Sequence, residues 1–203
     1  TETCGIITSV SGDFFVAKPD SAGPWMPSFD ARVVDDNGNE VPQGEVGELW
    51  VKGSPVIKGY INRPDATAQT ITDGWLHTGD VARIDADGFI YIVDRKKDLV
   101  IRGGENVSCT EVEACVYRHP AVAECCVFGV PDERLGEEIG VAVVLKAGAT
   151  CDETELQKHC LEHMSKHKVP RYVWFETEAL PRNASGKFLR RELRDRLSAL
   201  VAA

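Results

Sequence analysis

The residue best placed to do chemistry is Lys187, which closes the polar, turn-forming segment Pro181-Arg182-Asn183-Ala184-Ser185-Gly186-Lys187. A lysine behind a glycine on a mobile loop extends as a compact point charge, suited to a phosphate whose negative charge grows or shifts during reaction. Taken alone, the same segment also reads as a surface loop with a solvated lysine. It is not a Walker loop, because the Gly-x-x-x-x-Gly-Lys-Ser/Thr pattern is not met. Asp80 ends Gly74-Trp75-Leu76-His77-Thr78-Gly79-Asp80. A carboxylate just past a glycine turn can accept two hydrogen bonds from a ribose diol, or can simply be solvated in a tight turn. Asp94-Arg95-Lys96-Lys97-Asp98 reads either as a solvated linker or as a hinge, with Arg95 on a nucleotide and Lys97 absorbing a backbone rotation. Gly103-Gly104-Glu105-Asn106 is either a plain turn or a close backbone approach to an extended ligand, which glycine permits. Glu2, at a phosphate site, could hold Mg2+, which prefers oxygen ligands.

Two further clusters carry less chemistry. His159, His163 and His167 recur every four residues beside Cys160, so a transition metal on one helix face competes with a solvated or half-buried face. No His-Glu-x-x-His motif is present, which excludes a zinc protease of that pattern. Cys125-Cys126 lies in an apolar run and reads as core, and a redox Cys-x-x-Cys is absent. The seven cysteines are odd in number, which fits free thiols in a reducing, cytoplasmic compartment better than a disulfide framework.

The elements that must position these residues fall into two modules. Hydrophobic residues make up 43% and charged residues 27%, a globular balance that sets aside disordered and collagen-like chains. The net charge of −9 argues against a nucleic-acid partner, although Arg182–Arg196 is rich in cations. No apolar run is long enough for a transmembrane segment. Up to Val93 the chain is β-rich. Strands are expected at Ala31–Asp35, Glu48–Lys52, Val81–Ile84 and Phe89–Val93, with hairpin signals at Asn37-Gly38 and Asp87-Gly88 and a helix over Asp65–Thr72. The second module is α+β. It holds a strand at Leu99–Ile101 and a helix capped by Ser108 running to about Arg118. Buried strands follow at Ala121–Val130 and Ile139–Lys146, then a helix from Asp152 to about His167, a strand at Tyr172–Phe175 and a helix over Arg190–Leu200.

In this order the segments resemble the adenylate-forming superfamily of acyl- and aryl-CoA synthetases, luciferases and peptide-synthetase adenylation domains. Thr1-Glu2-Thr3 is similar to the end of its Tyr-Gly-x-Thr-Glu segment, and Gly47–Gly53 to its Gly-Glu-Leu strand. Gly74–Asp80 matches Gly-Trp-x-x-Thr-Gly-Asp, Asp94–Glu113 its hinge and following loop and helix, and Pro181–Lys187 its terminal lysine loop. The resemblance implies an α+β fold: residues 1–94 as an incomplete β-rich end of the large domain, and residues 95–203 as a mobile catalytic-lysine domain. It implies that Thr1 contacts the AMP phosphate, Glu2 ligates Mg2+, and Asp80 binds the ribose with help from Arg95. It also implies that Lys97 is the hinge, that Gly104 lines the pantetheine tunnel, and that Lys187 bridges substrate carboxylate and α-phosphate. The implied activity is that of an AMP-forming acid–CoA ligase using ATP, a carboxylic acid (fatty or aryl) and coenzyme A. An adenylation domain loading a carrier protein and a non-catalytic nucleotide-binding scaffold stay open beside it. Because the phosphate loop and acid pocket are not among these residues, the piece alone is expected to be inactive, and its β-rich half to self-associate into a homo-oligomer. Acetylation of Lys187 would remove the charge that adenylation needs.

Overall fold

The computed structural model describes residues 1–201, which form two compact units, one over Thr1–Lys97 and one beginning at Asp98. The division falls at Lys97–Asp98, inside the Asp94–Asp98 segment. The strand expected to end at Val93 continues to Arg95, which pairs in register with Asp80 of the same sheet.

The first unit is built on one antiparallel sheet. A short helix α1 (Gly12–Ala17), not expected from sequence, precedes β1 (Phe29–Val34) and β2 (Gly47–Gly53). Helix α2 (Pro64–Thr70) has proline in its first turn, where the missing N–H costs nothing. It leads into the two-residue β3 (Ile71–Thr72), long β4 (Trp75–Ile84) and β5 (Ile90–Arg95). The order is β1-β2-β4-β3, with β5 on the remaining length of β4. Both Asp-x-x-Gly turns use one device. Asp35 Oδ1 accepts from the N–H groups of Asn37 and Asn39, and Asp85 Oδ1 from those of Asp87 and Phe89. Gly38 and Gly88 complete them with φ of +81° and +80°. Leu49, Val51, Leu76, Ala82 and Ile90 form the core on one face. On the other, Arg32, Trp50 and His77 stand in register across three strands, with the indole stacked on the imidazole at 3.9 Å.

The second unit opens with the hairpin β6 (Leu99–Arg102) and β7 (Glu105–Ser108). Strand β7 has no counterpart among the expected elements, and Gly103-Gly104 forms its two-residue turn. Ser108 caps α3 (Cys109–Tyr117), its Oγ accepting from the Glu111 N–H at 3.1 Å. The long hairpin β8 (Val122–Asp132) and β9 (Gly136–Leu145) follows. Asp152 Oδ1 then caps α4 (Glu153–His163) through the Glu155 N–H at 2.8 Å. The helix stops four residues before the expected His167, because Met164 is extended (φ −149°, ψ 167°). Strand β10 (Tyr172–Glu176) lies parallel to β9, and α5 (Arg190–Ser198) ends the unit.

Both faces of β8–β9 are covered, which explains their unbroken apolar runs. Cys125 and Val127 face a cluster that includes Val100, Val107, Val112, Leu156 and Cys160 from the β6–β7 hairpin, α3 and α4. Cys126, Phe128 and Val130 face Leu180, Leu193 and Leu197, with Phe188 against them. Among the described residues, no helix is long and apolar enough to cross a membrane.

Candidate active site

In the first unit, β4 breaks its pleat at Gly79, whose φ is +69°. The kink is held on both sides. Thr78 Oγ1 donates to the Leu49 carbonyl at 2.7 Å and accepts from the Asp80 N–H at 3.0 Å, while Glu48 Oε1 accepts from the Gly79 N–H at 3.2 Å. Asp80 therefore projects a partly exposed carboxylate, and Arg95 Nε from the facing strand holds its Oδ1 at 2.7 Å. Asp80 and Arg95 are brought together, as an acidic acceptor steadied by a half-exposed guanidinium. Glu48 and Thr78 support this kink. Both lie inside motifs already quoted, but their hydrogen bonds needed the fold to be seen.

Glu2 lies elsewhere in the unit and meets Tyr60. Its carbonyl accepts from the Ile57 N–H at 2.8 Å and its Oε1 from the Tyr60 hydroxyl at 3.0 Å. Its own backbone N–H and then the Tyr60 hydroxyl hold the carboxyl below its ordinary range. An ionised, partly exposed carboxylate is the hard oxygen donor that Mg2+ takes, so Glu2 fits that ion. Thr1 beside it is exposed. Lys97 is also exposed, in a short 3-10 turn, Lys96–Asp98, at the boundary of the units.

In the second unit, Lys187 rides on a hydrogen-bonded strap rather than on a free loop. Arg182 bridges Phe188, and the Asn183 N–H donates to the Lys187 carbonyl at 2.9 Å. Asn183 Oδ1 accepts from the N–H groups of Ser185 and Lys187, both at 3.0 Å. Gly186, with φ of +79°, turns the chain. The Lys187 side chain points out of this scaffold into solvent. Arg182, a cation with affinity for phosphates, is instead committed to the fold. It donates to the Gly186 carbonyl at 2.8 Å and to Glu124 at 2.9 Å, and its guanidinium lies 3.8 Å over the Phe188 ring. Glu124 also accepts from the Leu180 N–H at 3.0 Å, which ties the strap to the start of β8.

Gly104 sits at the other end of β8. Gly103 and Gly104 have φ of +59° and +86°, the paired left-handed conformation of a type I′ hairpin turn. The Gly103 N–H donates to the Leu135 carbonyl at 2.8 Å, in the turn that joins β8 to β9. From Glu124 to Asp132 is about 26 Å of strand. Leu180 and Phe188 of the strap pack into the α5 cluster, and Val100 and Val107 of the β6–β7 hairpin into the α3–α4 cluster. Lys187 and Gly104 thus lie on segments anchored toward opposite ends of β8 and packed into different clusters of one small unit.

The histidine stripe does not assemble a metal site. His167 lies beyond the end of α4, His159 Nε2 is 3.1 Å from the Cys115 carbonyl, and His163 Nδ1 is 2.8 Å from the His159 carbonyl. His119, Cys151 and Glu155 do converge, with ligand atoms within 4.8 Å of one another. The Ala121 N–H, however, donates to His119 Nδ1 at 3.3 Å, so the ring proton resides on Nε2, where a metal would need the lone pair. Cys126 and Cys160 are inert core thiols, pushed up by burial to about 12.

The AMP-binding enzyme family matches residues 1–61, and the AMP-binding enzyme C-terminal domain matches residues 111–187. A 2-succinylbenzoate–CoA ligase of Bacillus cereus is 45% identical over 195 residues, covering 96% of this chain and 39% of the relative. A long-chain-fatty-acid–CoA ligase of Yersinia pestis is 50% identical over 175 residues, covering 86% of this chain and 31% of the relative. The chain therefore spans well under half the length of these relatives. The solved o-succinylbenzoate CoA synthetase of Bacillus subtilis, in complex with its acyl-adenylate intermediate, superposes with a TM-score of 0.87 at 40% identity, over 96% of this chain and 39% of that one. On these matches, and with the lysine strap, glycine turn and Asp80–Arg95 pair in their motif positions, the chain belongs to the adenylate-forming superfamily of AMP-binding enzymes.

Proposed function

We propose that this chain is part of an ATP-dependent acid–CoA ligase that forms an acyl-adenylate and then an acyl-CoA thioester. In the first half-reaction the acid's carboxylate attacks the ATP α-phosphorus, giving acyl-AMP and pyrophosphate. In the second the thiol of coenzyme A attacks the acyl carbon, and AMP leaves. Lys187 supplies the ammonium that offsets charge between carboxylate and α-phosphate, where a preorganised cation is worth most. Asp80, steadied by Arg95, accepts from the ribose hydroxyls. Thr1 contacts the AMP phosphate, and Glu2 would hold Mg2+, which neutralises phosphate charge when bound. Gly104 lines the thiol path, and Lys97 turns the second unit between the two steps.

The observation that supports this reading is the anchoring of the Lys187 strap and the Gly104 turn toward opposite ends of β8 in the second unit. One reaction needs cationic charge beside a phosphate, and the next needs an open thiol channel in the same place. A small body bearing one device on each side can offer them in turn. The acid is a fatty or aryl acid, in keeping with the names of the two relatives. A cytoplasmic setting accords with seven cysteines that are all free.

Pyrophosphate exchange by the full-length enzyme, across a panel of fatty and aryl acids, tests the reading. Exchange is expected with at least one acid, and Lys187→Ala is expected to lower it by about 100-fold or more. No exchange with any acid leaves a scaffold, and transfer to a carrier protein but not to coenzyme A makes the chain a carrier-loading domain.

A further inference from the structure

The glycine turn is gripped by two adjacent glutamates of β9 that sequence reasoning did not single out. Strand β6 reaches β9 through a single register pair, Arg102 with Gly136, before β10 takes over that edge. The tip of the β6–β7 hairpin therefore has little ladder to hold it, and side chains supply the rest. Glu137 Oε2 accepts from the Ile101 N–H at 2.9 Å, and Glu137 is in turn held by Arg194 of α5 at 3.2 Å. A side chain at Gly129 would collide with the Glu137 carboxylate at 2.6 Å, so that glycine keeps its place open. Glu138 takes Arg102 with both oxygens, Nε at 2.7 Å and Nη2 at 3.0 Å, with Arg171 at 3.6 Å behind it.

Glu138 is 1% exposed. A carboxylate in that position is a poor choice for stability alone. Removing a carboxylate from water is costly even when it is paired, and an apolar residue of similar volume commonly serves as well or better. What a two-point carboxylate–guanidinium fork adds is a fixed orientation. Arg102 is the residue immediately before Gly103, so fixing it fixes the entry into the turn.

We propose that Glu138 is a positioning residue for the thioester-forming half-reaction: through Arg102 it sets the Gly103–Gly104 turn in the place that leaves the thiol path open. The proposal rests on the ligase reading for its chemistry, but its structural half does not. The Lys187 strap hangs from Glu124 at the far end of β8, so adenylation does not depend on this grip.

The test uses the full-length enzyme with Glu138→Gln, which keeps shape and removes charge, and with Arg102→Lys, which keeps charge and removes the fork. Two quantities are read. The first is amide hydrogen exchange at Gly103, whose N–H the Leu135 carbonyl holds. Faster exchange there in both variants, with Leu180 on the strap unchanged, is expected. Unchanged protection at the turn overturns the proposal whether or not the enzyme is a ligase. The second is the split between half-reactions. Pyrophosphate exchange should change less than about twofold, while coenzyme A-dependent release of preformed acyl-adenylate falls about 10- to 100-fold, the scale of a misplacement of about 1 Å. Glu138→Asp should recover part of the loss. An equal fall in both half-reactions, or none in the second, overturns the proposal. A wild-type enzyme with no exchange overturns the ligase reading instead, and the amide data still decide the grip.

Discussion

Glu124 shows how a single carboxylate can hold a segment carrying a candidate catalytic lysine that it does not touch. It holds the Leu180 N–H and Arg182, and Arg182 holds the Gly186 carbonyl, one residue before Lys187. The Leu180 N–H first, and Arg182 after it, keep the Glu124 carboxyl below its ordinary 4.5. A depressed folded value means that the stabilisation is fully present above 4.5 and is lost as pH falls through the folded value. The Leu180 amide should therefore lose protection in acid, and Glu124→Gln should remove that pH dependence and weaken the strap at neutral pH. Hydrogen exchange at Leu180, followed from neutral pH down past 4.5, checks this. An acid response identical in wild type and variant would show that some other group anchors the strap. Lys187 and Asp80 could be named from the sequence as candidates because each ends a short local motif, and the order of those motifs along the chain, rather than either one alone, carried the resemblance. Glu124, Glu137 and Glu138 were not legible. Their partners lie tens of residues away, and nothing local separates a gripping carboxylate from a solvated one.

Among the elements, local chemistry decided what could be read ahead. The Asp-x-x-Gly turns and the Ser108 and Asp152 caps announced themselves because each is a contact within four residues. Strand β7 stayed hidden because Glu105 and Asn106 are exposed and polar, and its pairing with β6 supplies what its composition does not. The end of α4 was misplaced because the four-residue histidine spacing runs on past Met164, where the backbone is already extended. The caps carry a measurable share of stability. Helix α4 buries Leu156 and Cys160 against α3 and the sheet, and Asp152 satisfies one of its free N–H groups. Asp152→Ala should cost about 1 kcal/mol. Urea unfolding is expected to show a lower midpoint with an unchanged slope, the signature of lost stability without a changed unfolded state. A change well below that would mean solvent replaces the cap.

For the whole molecule, the question is which unit can stand alone. The unit that begins at Asp98 contains both faces of its own core. The α3–α4 cluster and the α5 cluster each draw every member from it. At roughly a hundred residues it has the size of an ordinary domain, for which a stability of about 5 to 10 kcal/mol is typical. The Thr1–Lys97 unit buries a single cluster on one sheet and leaves Ile6, Phe14, Phe15 and Val16 between 53% and 78% exposed. Exposed aromatic and aliphatic groups of this kind drive association when nothing covers them. A chain starting at Asp98 should therefore unfold in one cooperative urea transition and sediment as a monomer. The Thr1–Lys97 chain should show concentration-dependent mass in sedimentation equilibrium. Phe14→Ser with Phe15→Ser should reduce that association, because those side chains supply much of the exposed apolar surface. A broad, non-cooperative transition for the Asp98 chain would show that its two clusters are not sufficient, and would remove the basis for treating it as a body that can turn as one piece between two half-reactions.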